Sequence, residues 1–127
     1  MANTKTVKKI KSVGALGVAY VFSGYNNTIV TLTDLDGNTI NWASSGKHSF
    51  KGSKKSTPYA ASVVGESVAK EAYSMGLREV TVLLKGVGNG KAQAVKALRT
   101  GGLVINKIVD VTPVSHNGCR PKKRRRV

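Results

Sequence analysis

The chain has 127 residues, the length of one ordinary domain, and its hydrophobic fraction of 40% is sufficient for one core. That fraction is too low, and too interrupted by polar residues, for a membrane span. No segment combines a basic start, an apolar run and a small-residue cleavage site, so we expect no secretory signal. The single cysteine cannot form an internal disulfide, which fits a reducing compartment.

The charge of the chain is strongly unbalanced. Twenty-one Lys and Arg residues face six acidic residues, so the formal net charge is +15. Fourteen of the cations lie in three segments that we predict to be irregular: the start of the chain, a mid-chain loop and the end. Such a domain repels itself unless a polyanion neutralises it, and solvated surfaces usually mix both signs. The composition therefore predicts a protein that binds a polyanion.

The first half of the chain predicts an antiparallel meander of three strands. In the first of them, alternation places Val18, Tyr20 and Phe22 on one face and small residues on the other, and we expect Tyr20 and Phe22 in the core. Asp36-Gly37 is a strong hairpin signal between the second strand and the third. The strands are predicted at residues 14–23, 28–34 and 39–44.

The second half predicts two helices, each followed by a strand. Thr57 is a good N-cap and Pro58 suits the first helical position, so a helix with a stripe of small apolar residues begins there and ends at Gly76. A second helix, over residues 91–100, ends at Gly101 and has Lys91 available outward. The strands are predicted at residues 78–85 and 103–111. The first of them is almost continuously apolar, and we expect it to be covered on both faces.

The order β-β-β-α-β-α-β predicts an α/β domain with a five-stranded mixed sheet and two packed helices. This topology resembles the ribonuclease H-like arrangement. We divide the chain into a basic N-terminal tail, residues 1–11, a single α/β domain that we expect to bind the polyanion, residues 12–112, and a basic C-terminal tail, residues 113–127.

An enzyme of this topology would be a metal-dependent nuclease, which needs several carboxylates that converge on divalent ions. The six acidic residues are scattered, and Asp34 and Asp36 flank a turn in which aspartate is expected for backbone reasons. His116 and Cys119 have the spacing of half a metal site, but His48 is the only other histidine. We therefore expect no enzyme, no metal and no cofactor.

Two motifs leave alternatives open. The stretch "KGVGNGKA" precedes a helix but lacks the P-loop frame, since Ala92 stands where Ser or Thr would hold magnesium. It is either a seat for one backbone phosphate, with Lys91 beside it, or a tight turn. The final "PKKRRRV" fits a nuclear import signal or an RNA-binding tail. The other cationic segments favour the tail, and a basic nuclear DNA-binding protein remains the third alternative.

The aromatic residues do not show the paired pattern with which an RRM sheet stacks bases. Phe50 and Tyr59 flank the basic loop and could meet RNA or a protein neighbour. Asn117-Gly118 is a candidate site of isoaspartate formation, because glycine does not shield its amide nitrogen from the asparagine carboxamide. The alternative is that Asn117 simply turns the chain.

Three stretches resemble the small-subunit ribosomal protein eleven family in its bacterial form: "YNNTIVTLTD", "WASSGKHSFKGSKKSTPYAA" and "GGLVINKIVDVTPVSHNGCRPKKRRRV". The resemblance implies a structural, non-enzymatic protein that binds the central domain of small-subunit rRNA and helps to build the platform. It also implies a position near the messenger RNA exit, the rRNA three-prime end and the E site. The implied partners are rRNA and ribosomal proteins seven, eighteen and twenty-one. The implied location is the ribosome, in the cytoplasm or in an organelle stroma or matrix.

Charge and resemblance together give the expected RNA contacts. The resemblance assigns the loop at residues 51–61 and the tail at residues 116–126 to rRNA. The candidate residues are Lys47, Lys51, Ser53, Lys54, Lys55, Ser56, Thr57, Lys85, Asn89, Lys91, His116, Asn117, Gly118, Arg120, Lys122, Lys123, Arg124, Arg125 and Arg126.

Overall fold

The computed structural model describes residues 14–47 and 57–123. Within them the chain forms five strands and two helices. They are β1 (Leu16–Ser23), β2 (Thr28–Thr33), β3 (Thr39–Ser44), α1 (Pro58–Ser74), β4 (Glu79–Lys85), α2 (Lys91–Thr100) and β5 (Val104–Asp110). The predicted α/β class and the order of the elements are confirmed, and the predicted bounds differ only at the ends of some elements.

The sheet is mixed, with the strand order β3-β2-β1-β4-β5. The pairs β1–β2 and β2–β3 are antiparallel, and the pairs β1–β4 and β4–β5 are parallel. The predicted hairpin joins β2 to β3. Gly37 has a φ of +95° there, and the Asp34 carboxylate accepts the N–H groups of Asp36 and Asn38. Four strands, β1, β3, β4 and β5, therefore end at the same end of the sheet. We call it the carboxyl end, and the opposite one the amino end.

Both helices lie on one face of the sheet. Helix α1 connects β3 to β4 and α2 connects β4 to β5, so both crossovers move across the sheet in the same direction. Since such crossovers are right-handed, they fall on the same face. The core lies between this face and the helices, and its members include Ala19, Val21, Val30, Leu32, Val64, Val68, Val80, Val82 and Leu98.

The predicted apolar stripe of α1 is confirmed, and its small residues let α2 approach closely. A Cβ atom added at Gly65 would lie 2.8 Å from the carbonyl oxygen of Ala94 and 2.9 Å from the Cβ of Ala97. The end of α1 is also as predicted. Gly76 has a φ of +111°, and the N–H of Leu77 donates to the carbonyl of Ala72 at 3.1 Å, which closes the helix as in a Schellman motif.

The other face of the sheet, which we call the open face, carries no helix among the described residues. The expectation that Tyr20 and Phe22 lie in the core is wrong, since their side chains are 42% and 46% exposed on the open face. The closely packed helices require small side chains beneath them, and β1 offers these on its Ala19 and Val21 side. The expectation that β4 is covered on both faces is wrong among the described residues, because the two crossovers that flank β4 lie on the same face of the sheet.

Candidate nucleic-acid interface

The segments that were expected to bind RNA meet the fold at its carboxyl end. Strand β3 ends there and leads to Lys47, and α1 begins there after Thr57. Strand β4 ends there at Lys85 and turns into α2 at Lys91, and β5 ends there at Asp110, before the tail. The topology thus brings together positions that are far apart in the sequence.

The first turns of the two helices touch each other at the carboxyl end. A Cβ atom added at Gly90 would lie 2.8 Å from the Cβ of Ala61 and 2.6 Å from the hydroxyl oxygen of Thr28. Neither helix has an acidic residue in its first turn. Since the start of a helix carries partial positive charge, both helices add positive potential to this end.

Thr57 is the N-cap of α1, as predicted. Its hydroxyl oxygen accepts the N–H of Ala60 at 3.2 Å, and Pro58 occupies the first helical position. This cap fixes the point at which the basic loop rejoins the domain, and Tyr59 beside it is 69% exposed. The loop contacts expected at Lys51, Ser53, Lys54, Lys55 and Ser56 lie outside the described residues.

The turn between β4 and α2 is hydrogen-bonded to the end of β1. The N–H of Gly88 donates to the Ser23 carbonyl at 2.8 Å, and the N–H of Gly90 donates to the Ser23 hydroxyl at 3.3 Å. That hydroxyl lies 3.4 Å from the hydroxyl of Thr28, and both side chains are fully buried. These two glycine amides are therefore bound within the protein, which favours the tight-turn alternative for them. Asn89 and Lys85 remain exposed.

The tail is tied to the domain where it leaves β5. The hydroxyl of Thr112 donates to the Asp110 carboxylate at 2.6 Å, and the N–H of Gly86 donates to that hydroxyl at 3.2 Å. The Nζ of Lys91 lies 3.4 Å from the same carboxylate. The Thr112 hydroxyl, the Thr112 N–H and the Lys91 charge hold the pKa of Asp110 below its ordinary value. Lys91 was expected outward, but its side chain is only 24% exposed and is paired.

Sequence reasoning missed this connection. The available signal was the spacing Asp110-Val111-Thr112, since an aspartate commonly accepts a hydrogen bond from the backbone two residues later. The residues that bind Thr112 and Asp110 are Gly86, in the β4–α2 turn, and Lys91, at the start of α2. They come close to the end of β5 only because β4 and β5 pair in parallel.

The described part of the tail is exposed and forms no regular secondary structure over residues 111–123. Asn117 has a φ of +61°, so the chain turns at Asn117-Gly118. Four further candidate contacts, His116, Arg120, Lys122 and Lys123, are exposed in this segment. The candidates Arg124, Arg125 and Arg126 lie outside the described residues.

Acidic residues are almost excluded from the carboxyl end. Asp34 and Asp36 lie in the β2–β3 turn and Glu79 begins β4, so these three are at the amino end. On α1, Glu66 pairs with Lys70 at 2.8 Å, and Glu71 accepts the side-chain amide of Asn41. All six acids of the chain lie within the described residues, and Asp110 alone lies at the carboxyl end. The fold therefore keeps five of its six acids away from the end where the basic loop and the tail meet it.

The sequence model of the ribosomal protein S11 family matches residues 17–126. The chain belongs to the ribosomal protein S11 family. The match spans every described helix and strand, apart from the first residue of β1, together with nearly all of the C-terminal tail. As a member of this family, the chain is a small-subunit ribosomal protein, part of a ribonucleoprotein that carries out translation, and it binds rRNA and other ribosomal proteins.

The nuclease alternative requires a set of ligands that the fold does not assemble. Among residues 14–47 and 57–123, no three His, Cys, Asp or Glu side chains come together as a metal site. The six carboxylates of the chain occupy a turn, a helix and two different strands. No helix within these ranges is long and apolar enough to cross a membrane.

Proposed function

We propose that this S11-family protein binds small-subunit rRNA with the carboxyl end of its sheet, mainly through phosphate contacts. The observation that supports this most strongly is the near absence of acidic residues from the end where the cationic segments meet. The basic loop, the β4–α2 turn and the tail all meet the fold at one end, and five of the six acids lie elsewhere. The proposed contacts are the candidate residues given under Sequence analysis.

In this proposal the sheet and helices are a rigid base from which cationic segments reach into RNA. Each phosphate that a Lys or Arg neutralises releases condensed counterions, which makes binding favourable and sensitive to salt. The starts of α1 and α2 add a fixed positive potential. Lys91 neutralises Asp110, so the one carboxylate at this end does not repel the RNA.

The resemblance extends the proposal to a place in the subunit. The protein would hold the central domain of the rRNA in the platform, near the messenger RNA exit, the rRNA three-prime end and the E site. Its neighbours would be ribosomal proteins seven, eighteen and twenty-one. Its role is structural rather than catalytic, without cofactor or membrane, in ribosomes of the cytoplasm or of an organelle. Residues 12–112 form the RNA-binding domain, between tails at residues 1–11 and 113–127.

Two triple variants of equal charge change test where the RNA binds. In the first, Lys85, Lys122 and Lys123 of the carboxyl end become Gln. In the control, Lys70, Lys96 and Arg99 on the helices become Gln. We expect the first variant to lose affinity for a central-domain rRNA fragment and to show a flatter salt dependence, by about 2 to 3 units for three phosphates. Equal losses in the two variants would mean that net charge, and not the carboxyl end, attracts the RNA.

A further inference from the structure

The open face of the sheet is apolar in a region where a solvated face usually carries polar side chains. Its three most prominent side chains are Tyr20 and Phe22 of β1 and Trp42 of β3, with exposed fractions of 42%, 46% and 48%. Their neighbours along the strands point to the helices and are buried: Ala19, Val21 and Ala43. Exposed apolar patches of this kind mark sites of interaction.

The register of the strands spaces the three rings regularly. Tyr20 pairs with Thr31, and Thr31 pairs with Trp42, so the two rings lie in one row across β1, β2 and β3, separated by two strand spacings, about 10 Å. Phe22 follows Tyr20 two residues along β1, about 7 Å away. The side chains between and beside the rings, Val18, Ile29, Thr31 and Leu83, are half-buried. Three of these four side chains are apolar, so the rings lie among mostly apolar neighbours.

Cations border these rings. The Nζ of Lys47 lies 4.7 Å from the centre of the Trp42 ring and donates to the Trp42 carbonyl at 3.1 Å. Lys85 is the strand partner of Phe22, and Lys107 is the partner of Thr81 on the same face. The acid of this face is Glu79, at the amino end, opposite to the end where Lys47 and Lys85 lie.

We propose that the open face stacks unpaired rRNA bases on Tyr20, Phe22 and Trp42, while Lys47, Lys85 and Lys107 contact the adjoining phosphates. The proposal rests on the proposed function and adds a base-binding surface to its phosphate-binding end. Aromatic rings on a sheet, bordered by cations, bind single-stranded RNA by stacking, with little dependence on sequence. The border of cations matches a polyanion, and it is continuous with the carboxyl end. A second copy of this chain, with a net charge of +15, would be repelled.

The sole tryptophan of the chain makes the proposal measurable in the unmodified protein. We would titrate the full chain with a short single-stranded oligoadenylate, and separately with an abasic oligonucleotide of the same length, and record the fluorescence of Trp42. A base stacked on the indole quenches its emission. The abasic strand presents the same phosphates to Lys47 and the tail but has nothing to stack. We expect oligoadenylate to quench Trp42 strongly and the abasic strand to bind with little quenching.

Two substitutions separate stacking from apolar packing. Tyr20→Leu and Phe22→Leu keep an apolar side chain but remove the flat ring. Each should weaken oligoadenylate binding by at least about fivefold, the low end of the value of one stacked base, and should leave abasic binding and the salt dependence unchanged. Both side chains point away from the core, so the two substitutions should leave the thermal unfolding midpoint nearly unchanged. Measurement of that midpoint checks that the variants remain folded.

The outcomes are distinct. Suppose that oligoadenylate and the abasic oligonucleotide bind with the same salt dependence and neither quenches Trp42. The cationic end then binds phosphate but the open face does not stack bases, so the stacking proposal fails while the proposed function stands. If neither oligonucleotide binds, the proposed function fails. If the Leu variants bind RNA normally and Tyr20→Asp instead releases a neighbouring protein from small subunits, the face is a protein-docking surface and the stacking proposal is overturned.

Discussion

The hydroxyl of Thr112 donates a hydrogen bond of 2.6 Å to the carboxylate of Asp110, two residues before it. The same oxygen accepts the N–H of Gly86 from the neighbouring connection, and Lys91 at the start of α2 pairs with the carboxylate. The end of β5, the β4–α2 turn and α2 are therefore held together at the root of the cationic tail. This contact sets the point from which the tail leaves the domain.

Removal of the Thr112 hydroxyl should destabilise the contact between the start of the tail and the β4–α2 turn. Thr112→Val has nearly the same shape but leaves the half-buried Gly86 amide without its acceptor, which should cost about 1 to 2 kcal/mol in the free energy of unfolding. Thr112→Ser keeps the hydroxyl and is the control. Urea denaturation measures the cost, and hydrogen exchange at the Gly86 amide should be faster in the Val variant alone. An unchanged exchange rate would show that the hydroxyl does not hold this turn.

The same variant should change the pH dependence of stability. Hydrogen bonds from Thr112 lower the pKa of Asp110 in the folded state, so this carboxylate contributes stability at pH values above its ordinary pKa. That contribution is lost as the pH falls through the lowered pKa. In Thr112→Val the pKa of Asp110 should rise toward its ordinary value, as read by NMR titration of the side chain. The pKa of Asp34, which is lowered mainly by the backbone N–H of Asn38, should not move and is the internal reference.

The N-cap of α1 should be a measurable source of stability. Thr57→Ala removes the acceptor of the Ala60 N–H and should cost about 1 kcal/mol in the free energy of unfolding. Ser62→Ala removes a hydroxyl that donates to the Tyr59 carbonyl within the same helix, and it should cost little because alanine is the better helix former. If thermal unfolding shows equal effects for the two variants, the cap contributes no more than an ordinary helix hydroxyl.

The tail should dominate the salt dependence of RNA binding. Deletion of residues 120–127 removes six cations, each of which releases counterions when it meets a phosphate. The slope of log affinity against log salt should flatten by up to about 5 units. Lys70→Gln, on the helix face and paired with Glu66, should leave the slope unchanged. A slope that survives the deletion would mean that the tail does not touch phosphate.

Isoaspartate should form at Asn117 before it forms at Asn89, although glycine follows both. The reaction needs the glycine amide nitrogen to attack the asparagine side chain. At Asn89 that nitrogen donates to the buried Ser23 hydroxyl, whereas Asn117-Gly118 lies in the exposed tail. Asn27, which is followed by threonine, should react far more slowly. Peptide mapping with an isoaspartate-specific methyltransferase, on aged free protein and on protein in ribosomes, checks this order. In the ribosome, packing against RNA should protect Asn117. Equal labelling of Asn89 and Asn117 in the free protein would refute the predicted order.

The sequence predicted those parts of the fold that depend on local chemistry. Thr57 and Pro58 marked the start of α1, Asp36-Gly37 marked the hairpin, and alternation marked the strands, because each signal is contained in a few neighbouring residues. Which side chains of β1 are buried under the helices could not be predicted in this way. Alternation shows that Tyr20 and Ala19 point to opposite faces, but which face is covered depends on the crossovers of both helices.

The candidate site likewise has parts that local sequence predicted and parts that depend on topology. Cationic segments are visible in composition, so the sequence predicted that RNA binding would involve the loop and the tail. Their meeting at one end of the sheet is a property of topology, and so is the row formed by Tyr20 and Trp42. These rings are separated by 22 positions and come together only through the strand between them.

The most direct test of the account is ultraviolet crosslinking in the native cell, with both sides of each crosslink identified. Sequencing of the attached nucleic acid should return small-subunit rRNA, mainly from its central domain. Mass spectrometry of the protein should place the crosslinks in the segments that meet the carboxyl end, at residues 47–57, 85–91 and 112–127, and, where bases stack on the open face, at Tyr20, Phe22 and Trp42. Crosslinks concentrated at the amino end, in residues 34–38, 76–79 or 101–104, or attached chiefly to DNA, would contradict the account.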